Sequence, residues 1–220
     1  MKRRRFIGAS LTGTAGLAIG ASGLLLQSCK GANDKIVLAL IGAGNRGLST
    51  LVTCCRENTG VEVKTICDVN DLNSSRAAAE IEKQFGYKPL TVRNMHEVFA
   101  DRDIDAVYIS TPDHWHALAT ILACQAGKDV YVEKSPSHSI WEGRKMKEAA
   151  KKYRRIVQVG FQNRSGQYNY DARDYIQSGK LGQVVHIRIY NLLPVSKWIP
   201  MPEEAVPQTL VWDAWLGPAP

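Results

Sequence analysis

A glycine pattern that directly follows an apolar run constrains this chain more than any other sequence feature. Residues 35–41, KIVLALI, are almost wholly apolar, which is typical of a parallel strand buried on both faces. Residues 42–47, GAGNRG, fit the pattern G-x-G-x-x-G, which joins such a strand to a helix in dinucleotide-binding folds. The first glycine allows a tight turn, the second lets the backbone approach a pyrophosphate, and the third lets the helix pack closely on the strand. Because a helix N-terminus attracts phosphate, the pattern predicts a dinucleotide site formed by Gly42, Ala43, Gly44, Asn45, Arg46 and Gly47.

Strands and helices alternate from residue 35 onwards, and this alternation indicates an α/β fold. Further strands are predicted at residues 61–67, 91–92, 106–110, 129–132 and 156–160. Helices are predicted at residues 46–56, 73–85, 95–100 and 139–152, and one more is expected between Asp113 as its N-cap and Gly127. We therefore predict a Rossmann doubly wound parallel sheet with strand order 3-2-1-4-5-6.

The predicted Rossmann domain covers residues 30–160, and residues 161–220 are predicted to begin a second α/β domain. That second part contains a predicted helix over residues 168–178 and a long predicted strand over residues 184–193. One strand cannot form a sheet of its own, so this strand requires a partner.

Asp68 ends the second predicted strand, about 20 residues after the glycine pattern, where dinucleotide-binding folds carry an acidic residue. A carboxylate at this place accepts hydrogen bonds from the adenosine ribose and repels a 2′-phosphate. The sequence therefore predicts NAD as the cofactor in preference to NADP.

Lys134 is the best candidate for a catalytic group. It follows the fifth predicted strand, and the carboxyl ends of strands 1, 4, 5 and 6 face the nicotinamide half of such a site. A closed cleft beside a positively charged ring disfavours an ammonium group, so a lysine held there exchanges protons near neutral pH. The alternative is a solvated lysine at a strand end.

His114 and His116, beside Asp113, raise the question of a metal site. Residues two apart on a helix do not share a face, so no metal is predicted and His116 is assigned to the cofactor loop. None of the five cysteines forms a C-x-x-C pair, so the chain lacks the cysteine spacing of zinc sites and of thioredoxin-like sites. Packing roles are predicted instead for Cys54, Cys55 and Cys67.

The net charge of +7 does not indicate a nucleic-acid partner. Residues 1–28 contribute four of the positive charges and contain no acid. The later basic cluster, at residues 145–155, lies mostly on a predicted helix, where a solvated face explains it. The expected partner is a small molecule.

Residues 1–29 are predicted to be an export signal rather than part of the fold. RRRFI at residues 3–7 fits the twin-arginine pattern, and the stretch that follows is too rich in glycine and hydroxyl residues for a convincing membrane-spanning helix. LQSC at residues 26–29 resembles a lipobox, so Cys29 is a candidate lipid anchor; the alternative is release by ordinary signal peptidase. The expected location is the periplasm or the cell envelope, where an exported enzyme would have to hold its cofactor firmly.

Together these motifs resemble the Gfo/Idh/MocA oxidoreductases, the family of glucose–fructose oxidoreductase and inositol dehydrogenase. The resemblance covers nearly all of the chain after the signal. Besides the glycine pattern, it rests on TPDHWH at residues 111–116, on Glu133-Lys134 as the start of an E-K-P motif, on VQVGFQNR at residues 157–164 and on GQV at residues 182–184. The closing phrase WDAWLGP resembles a bacterial subgroup in which many members carry twin-arginine signals.

The resemblance also implies roles for individual residues. It implies that Lys134 takes part in proton transfer and that Glu133 lies by the nicotinamide ribose. It implies that Arg164 faces cofactor or substrate, and that a loop lining the cofactor contains Thr111, Pro112 and His116.

Two departures from the family pattern matter. Ser135 stands between Lys134 and Pro136, so the proline is displaced by one position and the cis peptide often associated with it is not carried over. The family's D-x-x-x-H element of the second domain does not occur, and that domain would continue beyond residue 220. We therefore expect a C-terminally truncated chain, and a homo-oligomer for the full-length protein.

The leading hypothesis is an exported NAD-dependent oxidoreductase that transfers hydride between the nicotinamide and a sugar, polyol or related carbohydrate. One alternative is an NAD-dependent glycosidase that oxidises its sugar transiently, although such glycosidases lack the Glu-Lys pair. The other is a non-catalytic dinucleotide-binding fragment.

Overall fold

A single parallel sheet organises the part of the chain that the computed structural model describes, residues 35–190 and 201–219. Its strands lie in the order β3-β2-β1-β4-β5-β6, which confirms the predicted order and the α/β class. In chain order they are β1 (Ile36–Ile41), β2 (Val61–Cys67), β3 (Leu90–Val92), β4 (Ala106–Ile109), β5 (Asp129–Glu133) and β6 (Val157–Gly160).

Helices connect successive strands and cover both faces of the sheet. They are α1 (Asn45–Glu57), α2 (Asp71–Phe85), α3 (Met95–Ala100), α4 (Asp113–Gln125), α5 (Ile140–Tyr153), α6 (Gln167–Gln177) and α7 (Trp212–Leu216), with a short 3₁₀ turn at Gln162–Ser165. The predicted capping box opens α5, because the Ser139 side chain accepts from the Glu142 N–H and the Glu142 carboxylate accepts from the Ser139 N–H. The prediction that Asp113 caps α4 is wrong: Asp113 is the first helical residue, and Pro112 occupies the cap position.

The core has one layer on each side of the sheet. On one face β1, β4 and β5 pack against α4 and α5, and on the other β1 and β2 pack against α1 and α2. Cys55, Cys67 and Cys124 are buried in these layers, which confirms the packing role predicted for Cys55 and Cys67. Burial raises the pKa of the Cys67 thiol to about 12.

The predicted strand over residues 184–193 is not observed in its described part. Residues 184–190 have no regular secondary structure and are exposed, as is the whole of α6. The physical reason is that a strand requires a partner, and none of the six strands pairs with these residues.

The predicted export signal, residues 1–29 with Cys29, lies outside the described residues. Within residues 35–190 and 201–219, no helix is both long enough and apolar enough to cross a membrane.

Candidate functional site

The three glycines of the pattern have different structural roles in the loop between β1 and α1. Gly42 has a φ of +90°, and a Cβ atom there would lie 2.6 Å from the Ser110 carbonyl group. A Cβ atom on Gly47 would overlap the Gly42 carbonyl oxygen. Gly44, by contrast, faces open space, because no atom lies within 4 Å of the position its Cβ would take. The outer two glycines are therefore required for packing, and the middle one leaves room for a ligand.

A pocket of about 350 Å³ lies beside this loop, at the carboxyl ends of β1, β2 and β4. Ligands of doubly wound sheets bind at this edge, where the strand order reverses. The residues that line the pocket include Gly42, Gly44, Asp68, Asn70, Thr111, Pro112 and Trp115.

Asp68 forms part of the pocket wall, as predicted for a cofactor-contacting carboxylate, and it also orders the backbone. Its Oδ2 accepts from the Ala43 N–H at 2.6 Å, and its Oδ1 accepts from the Asn70 N–H at 2.8 Å. The residue is only 9% exposed. Asp68 therefore connects the glycine loop to the loop after β2, a role that sequence reasoning missed.

Thr111 carries a buried hydroxyl without a partner. Its Oγ1 is one of two buried side-chain polar atoms in the described residues that make no hydrogen bond. Because buried polar groups nearly always have partners, an unpartnered hydroxyl on a pocket wall fits a ligand that supplies one. The open space at Gly44 and the free hydroxyl of Thr111 together fit a dinucleotide.

Glu133 joins the glycine loop to the end of β5. Its Oε1 lies 3.1 Å from Arg46 Nη2 and accepts from Gln162 Nε2 at 2.7 Å, while its Oε2 accepts from the Lys134 N–H at 3.3 Å. The carboxylate is buried, with 3% of the residue exposed. The sequence analysis assigned no role to Gln162, although this residue lies within VQVGFQNR, one of the motifs that carry the family resemblance.

His116 is buried and holds two loops together. Its Nδ1 hydrogen bonds to the Ser135 carbonyl oxygen at 2.5 Å, and its Nε2 hydrogen bonds to the Thr111 carbonyl oxygen at 2.8 Å. The peptide bond between Lys134 and Ser135 is cis, although serine rather than proline follows Lys134. No cluster of three or more metal-ligating side chains occurs in residues 35–190 or 201–219.

Lys134 and Arg164 are both exposed. Lys134 follows directly on Glu133 at the edge of the sheet, as predicted, but the described residues do not build the closed cleft that was expected around it. Arg164 lies in the 3₁₀ turn after β6, and its side chain contributes nothing to the pocket.

Comparison with protein families matches residues 36–161 to GFO_IDH_MocA, described as an oxidoreductase family with an NAD-binding Rossmann fold. Inositol 2-dehydrogenase from Salmonella paratyphi B is 29% identical over 177 residues, which cover 79% of this chain and 51% of that protein. A glycosyl hydrolase family 109 protein from Shewanella sp. is 28% identical over 157 residues, which cover 70% of this chain and 34% of that protein. The chain thus spans about half the length, or less, of these curated relatives.

Solved structures share the fold. The myo-inositol 2-dehydrogenase from Lactobacillus plantarum superposes with a TM-score of 0.62 at 24% identity, over 69% of this chain and 44% of that one. The WlbA dehydrogenase from Bordetella pertussis, solved with NADH and UDP-GlcNAcA, gives a TM-score of 0.60 at 24% identity, over 69% of this chain and 42% of that one. Both comparisons establish the Rossmann architecture.

Proposed function

The chain belongs to the Gfo/Idh/MocA family of NAD-binding oxidoreductases, and from that premise we propose that it oxidises or reduces a sugar, polyol or related carbohydrate with NAD. The observation that carries the proposal is the placement of Glu133-Lys134 at the end of β5, where Arg46 ties Glu133 to the glycine loop. A candidate proton-transfer group thus lies directly beside the residue that is linked to the predicted cofactor loop.

Three groups of this chain would hold the cofactor. The backbone around Gly44 would contact the pyrophosphate, Asp68 the adenosine ribose, and Thr111 a polar group of the dinucleotide. The proposed preference for NAD over NADP rests on Asp68, because its carboxylate would repel the 2′-phosphate of NADP. Arg93 lines the same pocket, but it is paired with Asp71 and holds the pKa of that carboxyl below its usual range. Isothermal titration with NADH and NADPH tests the preference, and tighter binding of NADPH would contradict it.

When bound, the nicotinamide ring supplies the hydride acceptor or donor. The protein's part would be to move the proton: Lys134 Nζ would accept it from the substrate hydroxyl when hydride leaves the carbon that bears this hydroxyl, and would return it in the reverse direction. Glu133 would help to hold the backbone at Lys134, because Oε2 of its carboxylate accepts from the Lys134 backbone N–H at 3.3 Å.

Turnover of a panel of inositols, sugars and polyols, followed by NADH absorbance, tests the activity. Lys134→Ala is expected to lower kcat by about 10²-fold or more, the usual contribution of a general acid–base group, and to leave the Kd for NADH unchanged. The matched control is Lys147→Ala, an exposed lysine on α5 that lies away from the pocket. Full turnover by Lys134→Ala would contradict the role of Lys134.

A redox-neutral glycosidase is the second candidate, and its supporting observation is the similarity to a glycosyl hydrolase family 109 protein. Such an enzyme would oxidise and re-reduce its sugar within one catalytic cycle. Aryl glycosides distinguish the two reactions. Release of the aglycone without net NADH formation favours the glycosidase, and net NADH formation favours the dehydrogenase.

The export signal remains part of the proposal. We propose that residues 1–29 direct the folded protein through the twin-arginine route and that Cys29 is lipidated. Changing Arg3 and Arg4 to lysine is expected to retain the protein in the cytoplasm on cell fractionation. Cys29→Ser is expected to abolish labelling by a fatty-acid probe, and persistent labelling would contradict lipidation.

A further inference from the structure

Residues 207–217, which we name the tryptophan segment, return to the Rossmann sheet and pair with the loop that follows β2. The Asp71 N–H donates to the Thr209 carbonyl at 3.0 Å, and the Val211 N–H donates to the Val69 carbonyl at 2.9 Å. These two bonds flank an antiparallel bridge between Asn70 and Leu210. The segment is therefore held at the end of β2, immediately after Asp68.

The same segment is attached to the first turn of α4. Trp115 Nε1 donates to the Trp215 carbonyl oxygen at 3.1 Å, and His114 Nε2 hydrogen bonds to the same oxygen at 3.0 Å. The Trp212 and Trp215 rings stack at 5.1 Å. The tryptophan segment thus bridges the loop after β2 and the first turn of α4.

The pocket lies beneath this bridge. Trp115 lines it from α4, and Leu210, Ala214 and Trp215 line it from the tryptophan segment. In a doubly wound sheet the end of β2 receives the adenosine half of a dinucleotide, because the acidic residue there contacts the ribose. An aromatic, largely apolar wall at this place matches the chemistry of an adenine base.

We propose that the tryptophan segment is the outer wall of the adenosine site, and that Trp115 and Trp215 recognise the adenine base. The proposal rests on the NAD-binding function proposed above. Only a few hydrogen bonds hold the segment, and Trp215 remains 37% exposed. A bound adenine would add contacts between the segment and the sheet, so cofactor binding stabilises the docked segment and the docked segment slows cofactor release. An exported enzyme benefits from such retention.

Hydrogen exchange on the unaltered protein tests the coupling. ADP-ribose is expected to slow exchange at the Val211 and Asp71 amides, which pair the segment with the loop, and not only at the glycine loop. NADH or ADP-ribose binding with unchanged exchange in the segment would overturn the proposal. If the protein binds neither NADH nor ADP-ribose, the proposed NAD function is overturned, and the proposed adenosine site is overturned with it.

A variant series tests recognition of the base. Trp215→Ala is expected to weaken NADH and ADP-ribose by at least about 5-fold, the lower end for loss of base–aromatic stacking, and to speed NADH dissociation. Reduced nicotinamide mononucleotide, which has no adenosine, is expected to bind Trp215→Ala and the parent alike. Trp141→Ala, at an exposed tryptophan on α5 outside the pocket, is the matched control. If Trp215→Ala lowers the affinity for NADH, ADP-ribose and reduced nicotinamide mononucleotide equally, or lowers none of the three, the assignment of Trp215 is overturned.

Discussion

Substituting two glycines of one motif separates cofactor binding from folding. Gly44 has φ −61° and ψ −178°, a conformation that alanine adopts without strain. At such a position Gly→Ala raises the free energy of unfolding by about 0.4–1 kcal/mol, because the unfolded chain loses conformational entropy. The new Cβ would meet no protein atom within 4 Å, and Gly44 lines the pocket. The methyl group is therefore compatible with the fold, and it would occupy space that the proposed pyrophosphate contact requires.

Gly47→Ala is expected to act on the fold instead. Its Cβ would overlap the Gly42 carbonyl oxygen, a backbone atom that moves only if α1 shifts away from β1. Overpacking of this kind costs about 1–3 kcal/mol. We expect Gly44→Ala to raise the Kd for NADH by at least about 10-fold, or about 1.4 kcal/mol, with stability slightly increased. Gly47→Ala is expected to lose both stability and binding.

Urea unfolding followed by tryptophan fluorescence gives the stability of each variant, and a constant m-value shows that the comparison is valid. Isothermal titration with NADH gives the affinity. Unchanged NADH affinity in Gly44→Ala would refute the argument that the ligand approaches this backbone. Unchanged stability in Gly47→Ala would refute the close contact between α1 and β1.

Two further predictions concern titratable side chains. Hydrogen bonding from Lys64 lowers the pKa of Asp101, so the stability that this pair adds is present above the ordinary aspartate pKa of about 4 and is lost as the pH falls through the lower folded pKa. The difference in unfolding free energy between the parent and Lys64→Met should therefore shrink in acid, and a difference that persists to about pH 2 would contradict this. Burial raises the pKa of the Cys55 and Cys124 thiols to about 11 and raises the pKa of Cys54 as well, but Cys54 is only partly buried, so native protein should react with Ellman's reagent at Cys54 faster than at the buried cysteines. Among the cysteines that the structure describes, Cys54 is expected to react fastest, so Cys54→Ser should remove this fast phase of the reaction. A time course that is the same in Cys54→Ser and the parent would contradict the prediction.

The sheet was predictable from the sequence because its signals are local. Apolar runs, turn residues and a glycine pattern follow one another in an order that matches one fold, and the predicted bounds of all six strands agree with the observed bounds to within about one residue at each end. The absence of the predicted strand at residues 184–190 has a physical cause. Strand propensity describes a half-buried surface, and a strand without a partner stays irregular however apolar it is.

The candidate site was predictable in its composition but not in its connections. The glycine loop, Asp68 and Glu133 follow from position along the chain. That Arg46 pairs with Glu133, or that His116 joins the loops of Thr111 and Ser135, depends on how distant segments approach each other. The docking of the tryptophan segment on the end of β2 depends on contacts across more than half of the chain, and no local pattern predicts it.

The two hydrogen bonds of the Asp68 carboxylate would couple the proposed cofactor preference to the geometry of the glycine loop. Replacing Asp68 to admit NADP would remove the acceptor for the Ala43 N–H at the same time. On the proposed role of Asp68, a change of cofactor at this site would be pleiotropic, because one substitution would alter both the repulsion of a 2′-phosphate and the hydrogen bonding of the glycine loop. A successful switch has to supply a replacement acceptor for Ala43 and Asn70 before any gain for the new cofactor becomes visible.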